Sequence, residues 1–174
     1  MKRTALILLT AIAVCAGALA QSAEDYLRSG SQHLQKLDVD KAIADFTQSI
    51  RLNPRNADAY FWRGRAYYCR NDMDKAIADY TQALNLNPRL DMAWADRALS
   101  HYYKKDYDKA IADYTAVIRH KPGFTEAYYR RSQAYVNKKD YNKAIADFQV
   151  LSQNNLYYHL AAEALEQIKK ERGY

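Results

Sequence analysis

Three arginines, Arg63, Arg97 and Arg131, recur at a spacing of 34 residues, and so do four aspartates, Asp45, Asp79, Asp113 and Asp147. Opposite charges in phase can pair as guanidinium–carboxylate bridges, which is the chemistry of holding rather than of turnover. A second set, Phe61, Arg65, Tyr68, Tyr102, Tyr103, Tyr129 and Arg130, mixes aromatic rings with guanidinium groups. Those residue types lend area and hydrogen-bond reach to recognition surfaces. No catalytic arrangement stands out. His33, His101, His120 and His159 show no paired metal spacing, and no glycine-rich phosphate loop is present. We therefore expect no catalytic residue, no metal and no cofactor, and a protein that is not an enzyme.

The elements that must position these groups are written four times. "DKAIADFTQSIRLNP" (Asp40 to Pro54) returns as "DKAIADYTQALNLNP" from Asp74, as "DKAIADYTAVIRHKP" from Asp108, and in weaker form as "NKAIADFQVLSQNN" from Asn142. All three prolines, Pro54, Pro88 and Pro122, share one column. A fixed period of this length is the signature of stacked units. Each unit carries two helical patterns. In the second, Ala59, Tyr60, Gly64 and Tyr67 fall on one face of the first helix. Met73, Ala76, Ile77, Tyr80, Ala83 and Leu84 make the stripe of the second. Asp72 is placed to cap it, and Pro88 ends it. Small residues (Gly30, Gly64, Ala98 and Ser132; Ala42, Ala76, Ala110 and Ala144) allow the two helices to approach closely.

With Tyr60, Gly64, Tyr67, Ala76, Tyr80, Ala83 and Pro88 in these places, the chain resembles the tetratricopeptide repeat (TPR) family over residues 23–158. The resemblance implies an all-α solenoid of four stacked helix–turn–helix units (about 23–56, 57–90, 91–124 and 125–158), a capping helix over 159–172, and a right-handed curve whose concave wall comes from the first helices. One helix pair cannot bury enough apolar area to offset its ordering entropy, whereas stacked pairs share a continuous core. Three departures stand out. The turn column that usually holds glycine reads Leu37, Asn71, Lys105 and Lys139, so looser turns are expected. Leu156 replaces proline, so the last unit's second helix should run longer or end irregularly. The column that usually holds leucine reads Ser29, Arg63, Arg97 and Arg131, and arginines there need partners. Within a unit, Arg63 would meet Asp79, Arg97 would meet Asp113 and Arg131 would meet Asp147. Between units, they would meet Asp45, Asp79 and Asp113. Each register orphans one aspartate. We favour the first, because the helices of one unit pack first and closest.

The sequence holds sixteen tyrosines. Most fall in core columns with Phe46, Phe148, Trp94, His33 or His101. Phe61, Tyr68, Tyr102, Tyr103 and Tyr129 lie off that stripe and would line the concave wall with Arg65. Arg28, Trp62 and Arg130 would stand at its margin. Members of the family that grip the carboxylate tail of heat-shock chaperones use Lys and Asn in two groove columns. Here those columns read Leu27, Phe61, Ala95, Tyr129 and Ser31, Arg65, Leu99, Gln133, with neither residue type. The net charge of +6 is modest and interleaved, which argues against nucleic acid. We expect a scaffold that binds a partner protein or peptide in an aromatic, Arg-lined groove. The alternative is a small-ligand-binding or accessory subunit of an envelope enzyme or transport complex.

Residues 1–20 read differently: a basic start, an uncharged apolar run from Thr4, and a small-x-small close at Ala18-Leu19-Ala20. That is the plan of a secretory signal peptide, with the repeat domain at 21–174 and a periplasmic or secreted location. Val14 before Cys15 is a poor lipoprotein cleavage residue, so membrane association is expected only if Cys15 is lipidated. Cleavage after Ala20 would leave Cys69 alone, with no disulfide possible. Mass spectrometry of the protein from its own cells should show Gln21 as the N-terminus. A lipidated Cys15 or an intact Met1 would overturn that expectation.

Overall fold

The computed structural model describes residues 21–152 and 157–173. Among them the chain is all α. The helices are α1 (Ala23–Gln35), α2 (Val39–Leu52), α3 (Ala57–Cys69), α4 (Met73–Leu86), α5 (Asp91–Tyr103), α6 (Tyr107–His120), α7 (Thr125–Asn137), α8 (Tyr141–Leu151) and α9 (Tyr158–Arg172). They pair as α1/α2, α3/α4, α5/α6 and α7/α8, and each second helix also packs on the first helix of the next unit. Such nearest-neighbour packing defines a solenoid. The first helices α1, α3, α5 and α7 touch one another along the stack, whereas no contact joins α2, α4, α6 and α8 among the described residues. The first helices therefore form the inner, concave wall, and the second helices fan outward. Residues 1–20, read from sequence as a signal peptide, and Leu156 lie outside the described residues.

Local chemistry sets the helix ends. Ser22 and Asp25 form a capping box at the start of α1. Asp72 accepts from the backbone N–H of Lys75. The turns are not loosened by their unusual residues. Leu37, Asn71, Lys105 and Lys139 all adopt φ of 61–63°, the left-handed conformation. At each turn the following aspartate's N–H reaches back five residues: Asp38 to His33, Asp72 to Tyr67, Asp106 to His101 and Asp140 to Tyr135, each at 2.9 Å. This Schellman closure satisfies the last carbonyls and offsets the steric cost of a left-handed Leu or Lys. The last unit departs in the other direction from a longer helix: α8 spans 11 residues against 14 for α2, α4 and α6.

The core is a column of alanines under a column of rings. Ala42, Ala76, Ala110 and Ala144 are fully buried, as are Phe46, Tyr80, Tyr114 and Phe148 beside them. A Cβ on Gly64 would lie 2.8 Å from the Tyr80 ring, and one on Gly30 would lie 2.7 Å from Phe46, so these glycines are set by close approach. The capping helix keeps the 34-residue register of a fifth first helix. Ala161 and Ile168 are buried where Ala127 and Ala134 stand in α7. Glu166, however, falls where Gly30, Gly64, Ala98 and Ser132 receive the following helix, and it is exposed and paired with Lys169. A large charged side chain in that place offers no small seat for a further ring.

The arginines join three helices each. Arg63 Nε and Nη2 donate to the two Asp79 oxygens at 2.7 and 2.8 Å. Arg97 does the same to Asp113 at 2.8 and 2.8 Å, and Arg131 to Asp147 at 2.9 and 2.7 Å. These pairs run within units, and Ser29 Oγ donates to Asp45 at 2.6 Å in the first. The remaining Nη1 reaches back one unit, to Thr47, Thr81 and Thr115 at 3.2, 3.0 and 2.9 Å respectively. The core tyrosines of the half-buried columns flank the cations. Arg63 lies over Tyr60 and Tyr67, and Arg131 over Tyr128 and Tyr135, all at 5.6–5.9 Å. Arg97 lies over Trp94 at 4.8 Å. His101 takes the other flanking place in that unit; its Nδ1 makes no hydrogen bond among the described residues, and the Asp106 carboxylate lies 3.7 Å from it. A double-mutant cycle on Arg97 and Asp113 should give a coupling of about 1–3 kcal/mol. Asp113→Ala should destabilise more than Asp113→Ala with Arg97→Met, because the single change strands a buried cation. Zero coupling in chemical denaturation would mean the pair contributes nothing to stability.

Candidate partner-binding groove

Side chains on the inner face of α3, α5 and α7 meet across unit boundaries. Tyr68 of α3 contacts Tyr103 of α5, with centroids 6.1 Å apart. Tyr103 in turn meets Tyr102 edge-on at 6.0 Å. Tyr103 is 55% exposed, so a large ring stands in the groove without cover. Burial, with the neighbouring Tyr103 hydroxyl, pushes the Tyr68 phenol up to about 12. Tyr102 also packs on Tyr107 and accepts a hydrogen bond from Asn137 Nδ2 at 2.9 Å. Tyr129 of α7 accepts from Gln133 Nε2 at 3.0 Å and packs on Tyr157.

The charged groups of the wall are partly occupied by one another. Arg65 lies over the Trp62 and Phe61 rings at 5.1 and 5.9 Å, and its Nε is 3.5 Å from Asp96. Burial raises the Asp96 carboxyl above the ordinary carboxylate value, and Arg65 opposes that shift. Arg130 Nε donates to Glu126 Oε1 at 2.7 Å, and Tyr157 Oη donates to Glu126 Oε2 at 2.5 Å. That bond to a carboxylate is the main cause that pushes the Tyr157 phenol up to about 12.

One residue expected in the groove is not available there. Phe61 is only 3% exposed, packed edge-on against Trp62 at 5.3 Å and tilted against Tyr80 at 6.0 Å. It belongs to the core cluster of the second unit, and Arg65 lies over its ring. Asp96 was not singled out by the sequence, yet a signal exists: it stands 34 residues after Trp62 and 34 before Arg130, in the column read as the groove margin. Two open clefts lie along the wall. One of about 410 Å³ is lined by Ser31, Leu34, Gln35, Trp62, Arg65 and Cys69. Another of about 310 Å³ lies between α7 and α9. Among the described residues no cluster of three His, Cys, Asp or Glu side chains could hold a metal ion, and no helix is long and apolar enough to cross a membrane.

Residues 27–91 and 95–155 match the tetratricopeptide repeat, and the chain belongs to that family. The comparison with curated proteins finds no match. Among solved structures it is similar to MamA, at 26% identity and a TM-score of 0.74 over 91% of this chain and 85% of that one. The MamA 41-end structure from Desulfovibrio magneticus RS-1 superposes with a TM-score of 0.82 at 19% identity, over 89% and 88% of the two chains. The second TPR domain of human RPAP3, solved with the HSP70 peptide SGPTIEEVD, has a TM-score of 0.62 at 24% identity, over 64% of this chain and 93% of that one. At the last two identities the likeness is one of fold.

Asp96 offers a check on this electrostatic picture. Its carboxyl titrates higher in the folded chain than in the unfolded one, so its ionised form opposes folding at neutral pH. Asp96→Asn should therefore raise the melting temperature at pH 7. The gain should close as pH falls through the raised folded pKa towards the unfolded value. A stability gap that instead widens on acidification would reverse the assignment.

Proposed function

We propose that this chain is an exported scaffold that grips an extended segment of a partner protein in its concave groove. The observation that carries the reading is the line of rings Tyr68, Tyr103 and Tyr102, which crosses a unit boundary on the inner wall and leaves Tyr103 largely uncovered. Uncovered aromatics beside Arg65 and Arg130 are the residue types that anchor interfaces. The family supports the reading, since the related human RPAP3 domain is solved with a peptide. The columns that would clamp an acidic heat-shock tail hold no Lys or Asn in this chain, so the proposed partner is of another kind. Both clefts open along the wall rather than closing around a small molecule, which favours a peptide over a compact ligand. Export is supported by the composition of residues 1–20.

Affinity capture with the purified protein from its own cell envelope would supply the partner, and titration would then measure the groove. Tyr102→Ala should weaken binding by about 1–3 kcal/mol, as for an aromatic anchor, with the melting temperature nearly unchanged. Tyr80→Ala, which empties a site only 1% exposed, should instead lower the melting temperature markedly. If Tyr102→Ala melts as early as Tyr80→Ala, or binds as tightly as the parent, the groove reading fails.

A further inference from the structure

We propose that the cleft between α7 and α9 is a subsite for a basic residue of the bound segment, with Glu163 as its counter-charge. The proposal rests on the groove reading above and names the chemistry that the groove selects. The cleft exists because the capping helix stands off. Successive first helices approach closely in backbone, but the α9 backbone comes close to α8 alone, and a space of about 310 Å³ is left beside α7.

Charge decides what the space can take. Glu163 is the one ionisable acid or base of the cleft lining apart from the Tyr102 and Tyr129 phenols. It is exposed, and among the described residues it has neither an ion pair nor a hydrogen bond. The other acids of the wall are engaged: Asp96 faces Arg65, and Glu126 is held by Arg130 and Tyr157. A free carboxylate at the end of a groove whose arginines are already paired favours a cation and repels an acidic segment.

Hydrogen bonding points to an extended chain. The Tyr102 and Tyr129 hydroxyls each accept from an amide, Asn137 Nδ2 at 2.9 Å and Gln133 Nε2 at 3.0 Å. A phenol that accepts in this way still has one proton to give. Neither proton has an acceptor among the described residues, and both rings line the cleft. Peptide carbonyls are acceptors of the right kind. The amide of Asn137 is itself held, since its Nδ2 also donates to the Gln133 carbonyl at 2.8 Å. Val136 and Ala164 give the walls an apolar stretch along which the methylene stem of Lys or Arg can lie.

The test uses the purified protein and three pools of fluorescein-labelled decapeptides, alike except for a central Lys, Gln or Glu, read by fluorescence anisotropy. The Lys pool should bind roughly fivefold or more tightly than the Glu pool at low salt, with the gap shrinking as ionic strength rises. Glu163→Gln should level the preference and Glu163→Lys should reverse it. Both variants should keep the parent's circular dichroism, because Glu163 is exposed and unpartnered. A Lys preference that survives in Glu163→Gln overturns the proposal. So does equal binding of all pools that is lost in Tyr102→Ala, although the groove reading then stands. Binding unaffected by Tyr102→Ala, or no binding of any pool, overturns both. Self-association of the protein alone that disappears in Glu163→Lys would give the cleft to a second copy and also overturn the proposal.

Discussion

A guanidinium shared by three helices sets the geometry of this molecule. Arg97 spends two donors on Asp113 of its own unit and a third on Thr81 of the unit before. Taking a charge pair out of water costs roughly what its attraction returns, so such pairs add less to net stability than to registry. The registry here is of two kinds. The carboxylate fixes how the two helices of a unit face each other, and the threonine fixes how one unit sits on the last. Flanking rings lie over these cations, one for Arg97 and two for Arg131.

The inner wall inherits that order. Arg65 is two residues beyond Arg63, and Tyr129 is two before Arg131, so the clamp that orients a first helix also aims its groove residues. The wall is made from what the core does not claim. Ala76, Tyr80 and Ala83 fill the second unit's interior and draw Phe61 in with them. Tyr68, Tyr102 and Tyr103 are left to touch one another across the unit boundary instead.

Much of the architecture was legible because it repeats. A 34-residue period with small residues opposite rings specifies helix pairs and their stacking. The arginines and aspartates advertised their partnership by being in phase. The threonine partner was missed, although its signal is present. The column Thr47, Thr81, Thr115 gives way to Gln149 in the unit after which Leu165 replaces the arginine. Each of these hydroxyls donates to the carbonyl four residues back, at 2.7 Å, and so presents its oxygen as an acceptor. Phe61 was misjudged for a different reason. Its column contains Leu27, Ala95 and Tyr129, residues of very different volume, so burial there depends on the local neighbours and not on the period. The turn column was misread by residue type alone, because backbone closure at Leu37, Lys105 and Lys139 outweighs the preference for glycine.

The backward reach from arginine to threonine gives every junction a direction. A unit presents an acceptor at its trailing side and a donor at its leading side, so copies can join head to tail in one sense only. The length of such a molecule is therefore quantised. Deleting or duplicating one whole 34-residue step between the first and last clamp should restore the arginine–threonine bond at the new seam, whereas any other step breaks the phase. At Glu166 and Leu165 the phase is kept but the pattern is not, since these positions supply neither the small seat nor the cation of the earlier units. The grammar that builds the groove thus also permits longer or shorter grooves, so the length of the concave wall can change without changing how the chain folds.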